Sequence, residues 1–498
     1  MSKEFILIIL VAYFLMLIAV SFLTSSKADN ATFFTGNKNN KWYVVSFGMI
    51  GASLSGVTFI SIPGAVATSQ FTYLQIAMGY LAGYAIVAFV LLPLYYRLNL
   101  VSIYGYLNQR FGIITYKMGA TFFIVSRIIG SALRMYLVVL VLQTFVFDEI
   151  HVPFEVTIGL SILLIWLYTF RGGIKTIIWT DVLQTLFMLV SLGLSIYLIV
   201  DDLGISFGEV FSKMDATGTS QIFQTDDPNA GNYWIKGLLG GMFLTLGMTG
   251  VDQDMMQKNL TCKNEKEAKK NMLSFAAVLF FINVLFVVLG GILYLYIDAN
   301  PDVASLWHEF DKAGKPDGDL LFATIAIKGT LGIALGVFFL LGLIAAAYSS
   351  ADSALAALTT SFAIDFMNIE KDEKRVQERK RKWAHLIMSL ALFLTVLIFK
   401  YVKNDNVVNE LFKAANYTYG PLLGLFMFGI LSKRNVRDTI PIIICVYIPV
   451  ILYFISKFSI ELFDGYVFGS ELLGINALLV FIFLWIFSTK NVSYKEIN

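Results

Sequence analysis

The chain has 498 residues, with 37 Lys and Arg against 35 Asp and Glu, for a net charge of +2. Only 14% of residues are charged and 57% are hydrophobic, against roughly 25% charged in a soluble domain, and the mean hydropathy is +0.72. That balance excludes a soluble enzyme, offers no basic surface for nucleic acid, and makes the lipid bilayer the expected surroundings.

Apolar runs near 20 residues mark candidate spanning helices. Thirteen occur, at 4–24, 44–68, 72–96, 116–146, 153–171, 175–200, 233–256, 272–297, 320–362, 383–402, 407–431, 437–456 and 470–488. The first lacks a basic leader and a small-residue cleavage site, so it reads as a helix and not a signal peptide. Several runs exceed one straight crossing and are expected to tilt or kink. Loops on one side carry 25 of the 37 Lys and Arg, counting Lys258 with Lys263, Lys266, Lys269 and Lys270, and the run "EKDEKRVQERKRK" at 370–382. The opposite loops, such as "VFDEIHVP", are acidic or near neutral. By the positive-inside rule the N-terminus is outside and the C-terminus cytoplasmic. The basic run reads as a solvated cytoplasmic loop in preference to a lipid-binding one.

The second run, "VSFGMIGASLSGVTFISIPGAVATSQF", combines Ser46, Ser53, Ser55, Thr58 and Ser61 with glycines and then Pro63. Proline removes a backbone donor and glycine loosens a helix, which predicts an unwound stretch at membrane depth. Such a break is tolerated where the freed carbonyls line a cavity or hold an ion; a kink packed on a neighbour is the alternative. The sixth run opens "GGIKTIIWTDVLQTLF" and places Asp181 about 9 Å inside a helix. A carboxylate snorkelling to the boundary answers equally well for it.

The ninth run contains "AAAYSSADSALAALTTSFAIDF". Ser349, Asp352 and Ser353 share a face at spacings of three and four, with Ala346 and Ser350 beside them. A carboxylate at bilayer depth costs about 2.5–3.5 kcal/mol on insertion scales and marks ion or substrate pathways. Hydroxyl, carboxylate and carbonyl oxygens suit a hard cation. Small residues allowing close helix packing are the structural alternative. His151, His308 and His385 read as loop or segment-end residues, and Cys262 and Cys445 lie far apart, so no metal cluster, disulfide framework or nucleophile–base pair is expected. No soluble signalling domain or repeated pore ring points to a sensor or channel.

Five motifs, "ASLSGVTFISIPG", "GGIKTIIWTDVLQ", "GVDQDMMQKNL", "AAAYSSADSAL" and "YTYGPLLGLF", follow one another between about residues 45 and 430. On these the chain resembles the sodium/solute symporters that include sialic acid, sugar, proline and pantothenate transporters. The resemblance implies an all-α LeuT-type fold with two inverted five-helix repeats, at 44–200 and 233–431, and peripheral helices at 4–24, 437–456 and 470–488. The second and seventh runs would be paired broken helices, with "GGMFLTLGMTG" (240–250) supplying the second break.

Carried over position by position, the family's common sodium site matches Gly51, Leu54, Ala346, Ser349 and Ser350. A second sodium site of some members matches Asp181, Ser349, Asp352 and Ser353, although several relatives have serine where this chain has Asp352. The substrate positions match Ser53, Ser55 and Thr58, with Tyr73 capping the site and Arg134 inside the run 116–146. Either a substrate carboxylate or a protein carboxylate answers for Arg134; Arg127, seven residues earlier, reads as structural. The implied activity is sodium-coupled import of a small organic solute across a bacterial inner membrane, leaning to a carboxylate-bearing one such as sialic acid, with no obligatory protein partner evident. A neutral sugar or polyol, or proton coupling through Asp181 and Asp352, are the alternatives. Energetically a single sodium suffices for a neutral solute: 100 mV gives about 2.3 kcal/mol per charge and a tenfold sodium gradient about 1.4.

Overall fold

A computed structural model of the chain describes residues 3–24, 33–34, 38, 40–311, 317–329, 331–402 and 407–490. Among the described residues the regular structure is helical, with two isolated bridges, Asn40 to Cys262 and Asn435 to Thr489, and no strand. The main helices are α1 (Lys3–Thr24), α2 (Trp42–Ser53) and α3 (Val57–Gly64), α4 (Tyr73–Arg97) and α5 (Ile113–Phe147). There follow α6 (Phe154–Asp202), α7 (Trp234–Gly250) and α8 (Gln253–Asn259), α9 (Glu265–Ala299) and α10 (Ile333–Phe366). The last four are α11 (Lys374–Val402), α12 (Val407–Leu431), α13 (Ile440–Lys457) and α14 (Leu472–Ile486).

Eight of these helices are each long and apolar enough to cross a bilayer, and ten spans result when the bent pairs α2–α3 and α7–α8 count as one each. The bends are 63° and 70°. The first lies at Leu54–Gly56 and the second at Val251–Asp252. Pro63 itself is helical, next to the last residue of α3 and not at the break. The glycine-rich stretch 240–250 stays helical, and its break follows at its end.

Two of the expected runs differ in outline. Runs 153–171 and 175–200 form one helical stretch, α6, of 49 residues. At 1.5 Å per residue it would extend about 74 Å, twice the bilayer's hydrocarbon thickness. Its partners on α10 show how it fits. Ser161 bonds Tyr348 and Tyr168 bonds Asp352, so partner numbers rise along the first half. Asp181 bonds Ser349 and Ser191 lies against Gly342, so they fall along the second. The two halves therefore pass α10 in opposite senses, and the reversal falls between Tyr168 and Asp181. The ninth run, 320–362, divides in the other direction, into a short helix Gly318–Lys328 and α10.

Helix α10 is the core. In its best membrane-length window 72% of residues are buried, against 33% in α1, α11 and α13, and every residue from Leu343 to Ser361 is buried. Its alanines and serines are what allow neighbours to close in on all sides. Helix α4 meets α7 backbone to backbone: a Cβ on Gly79 would stand 2.1 Å from the carbonyl oxygen of Leu238, and one on Gly241 2.0 Å from that of Ile76.

His385 corrects the sequence reading. It lies inside α11, 3% exposed, with its ring nitrogens 2.9 Å from Thr359 Oγ1 and 3.2 Å from Thr169 Oγ1. Its neighbours there are hydroxyls from α10 and α6, which place it between those two helices. Cys262 and Cys445 are both buried and free.

The α4–α7 contact yields a stability test. Gly241→Val forces a branched side chain into a backbone, at a cost of about 1–3 kcal/mol or more. Fluorescence-detected size exclusion of the membrane-extracted variant is expected to show loss of the monodisperse peak, with Gly241→Ala intermediate between it and the wild type.

Candidate functional site

The break between α2 and α3 sits against the middle of α10. Leu54 turns extended (φ −76°, ψ 102°), which leaves the last carbonyls of α2 without helical partners. Ser350 Oγ lies 3.3 Å from the carbonyl oxygen of Ala52. Gly51 faces the same region: a Cβ there would meet Thr185 Oγ1 at 2.2 Å and Ser349 Oγ at 3.4 Å. Ala346 is buried one turn before Ser349 and Ser350 on α10. The five residues matched to the common sodium site thus belong to the end of α2 and the adjoining turns of α10, with no side chain intervening at Gly51.

Asp181 of α6 has a different set of neighbours from those expected. Ser349 Oγ donates to its Oδ1 at 2.5 Å, and Lys258 Nζ donates to its Oδ2 at 2.6 Å. Both partners of this ion pair are buried, at 1% and 0% side-chain exposure. Lys258, counted above among solvated cytoplasmic lysines, is therefore no loop residue. It projects from α8 into the protein interior. The signal available in the sequence was "DQDMMQK", where Gln253, Asp254, Gln257 and Lys258 leave a short helix polar on most sides and unfit to face lipid.

Asp352 and Ser353, one turn along α10 from Ser349, are not bonded to Lys258, whose ammonium goes to Asp181. Tyr168 donates to Asp352 Oδ2 at 2.8 Å, while Asp352 Oδ1 and Ser353 Oγ have no hydrogen-bond partner. The contrast with Asp365, further along α10, is informative. Asp365 accepts from Ser361, Tyr116 and Ser102 at 2.5, 2.8 and 3.0 Å. A carboxylate so fully bonded is a structural clamp, whereas Asp352 retains an oxygen for something else.

Beside the break lies a cavity with about 760 Å³ of empty space, including its open mouth. Ser53, Ser55, Thr58, Tyr73 and Arg134, the five expected substrate residues, all line it. Thr58 Oγ1 accepts from the backbone N–H of Ser55 at 3.4 Å, holding the unwound turn. Tyr73 and Tyr80 stand with their hydroxyls 3.4 Å apart. Tyr80, Tyr84, Thr249, Asn283 and Phe412 also line the cavity; sequence spacing did not single them out, because they come from three separate helices and the start of a fourth.

The two arginines of α5 divide cleanly. Arg127 pairs with Asp254 and lies 3.7 Å from Asp252. Asp252 caps α8, accepting from the N–H groups of Asp254 and Met255, and takes a 2.6 Å hydrogen bond from Tyr419. Arg127 is thus fastened to the second break, as its structural reading implied. Arg134, 9% exposed, makes no ion pair among the described residues, and its Nε has no partner. The protein-carboxylate alternative for Arg134 is not what the fold provides.

Comparison with known proteins places this geometry. The model of the sodium:solute symporter family matches residues 33–439. The sodium/sialic acid symporter NanT of Aliivibrio fischeri is 27% identical over 468 residues, covering 92% of this chain and 88% of its own. The sodium/sialic acid symporter SiaT of Proteus mirabilis is 26% identical, covering 84% of this chain and 83% of its own. A solved structure of a Na+-coupled sialic acid symporter in a substrate-bound outward-open state superposes with a TM-score of 0.82 at 22% identity, covering 97% of each chain, which establishes a shared fold. The chain belongs to the sodium:solute symporter family, as a multi-pass, LeuT-type, sodium-coupled symporter and not an enzyme.

Proposed function

We propose that this symporter imports a carboxylate-bearing solute of the sialic acid class, and that Arg134 receives the carboxylate. The observation that carries this reading is the unpaired guanidinium of Arg134 in the wall of a cavity whose other polar groups are hydroxyls, the Asn283 amide and Arg127, already paired with Asp254, set among aliphatic and aromatic side chains. Burying such a charge without a partner is costly. A carboxylate meets its planar fork with two parallel hydrogen bonds. Hydroxyls of Ser53, Ser55, Thr58 and Tyr73 offer neutral partners for a polyhydroxylated body. The relatives NanT and SiaT, named for sialic acid, support the same class. The second reading is a neutral sugar or polyol, favoured by the neutral groups Tyr80, Thr249 and Asn283 in the same wall.

Sodium sits, in this proposal, among the carbonyls of Gly51, Leu54 and Ala346 and the hydroxyls of Ser349 and Ser350. Ser350 Oγ reaches the end of α2, 3.3 Å from the carbonyl oxygen of Ala52, the residue after Gly51, which supports an ion placed between α2 and α10. The ion would join the unwound end of α2 to α10, beside the solute, so binding of each favours the geometry the other needs. Thirteen crossings, with α6 counted twice, place the N-terminus outside and the C-terminus in the cytoplasm of a bacterial-type inner membrane. The inverted repeats would then span 44–200 and 233–431, with 4–24, 437–456 and 470–488 peripheral.

Uptake of labelled N-acetylneuraminate into proteoliposomes, with sodium or choline outside at fixed pH, tests the reading. Sodium-dependent uptake is expected; equal uptake in choline would instead indicate proton coupling. Arg134→Lys keeps the charge but loses the fork, and is expected to raise the half-saturating solute concentration about tenfold or more, as loss of a charge-assisted hydrogen bond does. A neutral hexose taken up with unchanged affinity in that variant would favour the second reading. Ser350→Ala removes one oxygen from the cage, and is expected to raise the half-saturating sodium concentration about tenfold or more while extracted protein stays monodisperse.

A further inference from the structure

The Asp181–Lys258 pair lies where a second sodium would go. Asp181 and Ser349, two of the oxygens matched to that second site, are bonded to each other, and the remaining Asp181 oxygen holds the Lys258 ammonium at 2.6 Å. We infer that the Lys258 ammonium takes the place of the second sodium as a cation tethered to the protein, so that the chain binds a single sodium. This rests on the common sodium site proposed above.

An ammonium and a sodium ion are both compact, strongly hydrated monovalent cations that exchange water for oxygen ligands. A sodium ion ligated by Asp181 would stand within a few ångströms of Nζ, in a region where Lys258 is 1% exposed. Two like charges that close in a dry interior exclude one another. The ammonium is also held in register and not loosely placed. Helix α8 starts at the Asp252 cap. Gln253 bonds the backbone N–H of Ile103 and the carbonyl of Val101, and Gln257 bonds the carbonyl of Phe34 and Thr360 Oγ1. Those contacts aim the next residue, Lys258, at Asp181. Asp352, one turn along α10 from Ser349, keeps one carboxylate oxygen without a hydrogen-bond partner.

Equilibrium binding of radioactive sodium to the purified full-length protein, with choline holding ionic strength and no solute present, tests the inference. The wild type is expected to bind one sodium per chain and Lys258→Met to bind one more, while the double variant Asp181→Asn/Lys258→Met returns to the wild-type number. Two sodium ions on the wild type would overturn the inference, as would an unchanged number on folded Lys258→Met. Lys258→Gln serves as a second test if Lys258→Met does not survive extraction, and the wild-type count decides if neither does. A folded wild type that binds no sodium overturns the common-site reading instead, and the gain of one ion on Lys258→Met still judges the tethered cation.

Discussion

Inside hydrocarbon no water is available to a free N–H or C=O, so every peptide group must find its partner within the chain. That constraint makes the two broken helices the costly elements of this protein, and much of the surrounding architecture exists to support them. At the second break the carboxylate of Asp252 replaces the missing turn by accepting two backbone N–H groups, and Arg127 and Tyr419 hold that carboxylate from α5 and α12. At the first break the support is of another kind. The end of α2 is packed so closely on α6 and α10, through Gly51, that its free carbonyls face hydroxyls. One break is held by side chains of the protein; at the other, the end of α2 stands beside the hydroxyls of α10, where the proposed sodium would sit.

A similar division runs through the buried charges. Removing one partner of a buried ion pair typically costs about 3–5 kcal/mol, because the other is left unpaired. Arg127 and Lys258 are both committed to carboxylates, and Asp365 to three hydroxyls. Arg134 has no carboxylate partner among the described residues, and Asp352, like Asp254, keeps one oxygen without a hydrogen-bond partner. In a chain this poor in charge, the uncommitted groups are few enough to direct attention to the cavity wall and to the polar face of α10.

Much of this was readable before any coordinates. Apolar length located the spans, because the bilayer imposes one length on every crossing. The hydroxyl face of α10 was legible because three-and-four spacing is local geometry. The five expected substrate residues share one cavity because the resemblance carried their positions over together. Tertiary partners were another matter. Lys258 looked like one more cytoplasmic lysine, since counting basic residues by loop cannot tell a lysine beside a helix end from one turned inward by that helix's own cap. His385 was misplaced for the same reason: its two hydroxyl partners come from α6 and α10, at separations of 216 and 26 residues. The reversal within α6 was anticipated as a gap between two runs, but its place was fixed only by which residues of α10 each half touches.

A lysine that serves as a cation also changes the electrical character of transport. A sodium ion accompanies the solute across the membrane and is released; a side chain stays behind. With Lys258 in one of two cation positions, a solute bearing one carboxylate and a single sodium cancel in charge, and the membrane potential has nothing to pull on. The roughly 2.3 kcal/mol that 100 mV offers per charge would go unused, and accumulation would follow the sodium ratio alone, about tenfold for a tenfold gradient. Such a carrier gives up concentrating power, but its uptake would hold steady when the membrane depolarises.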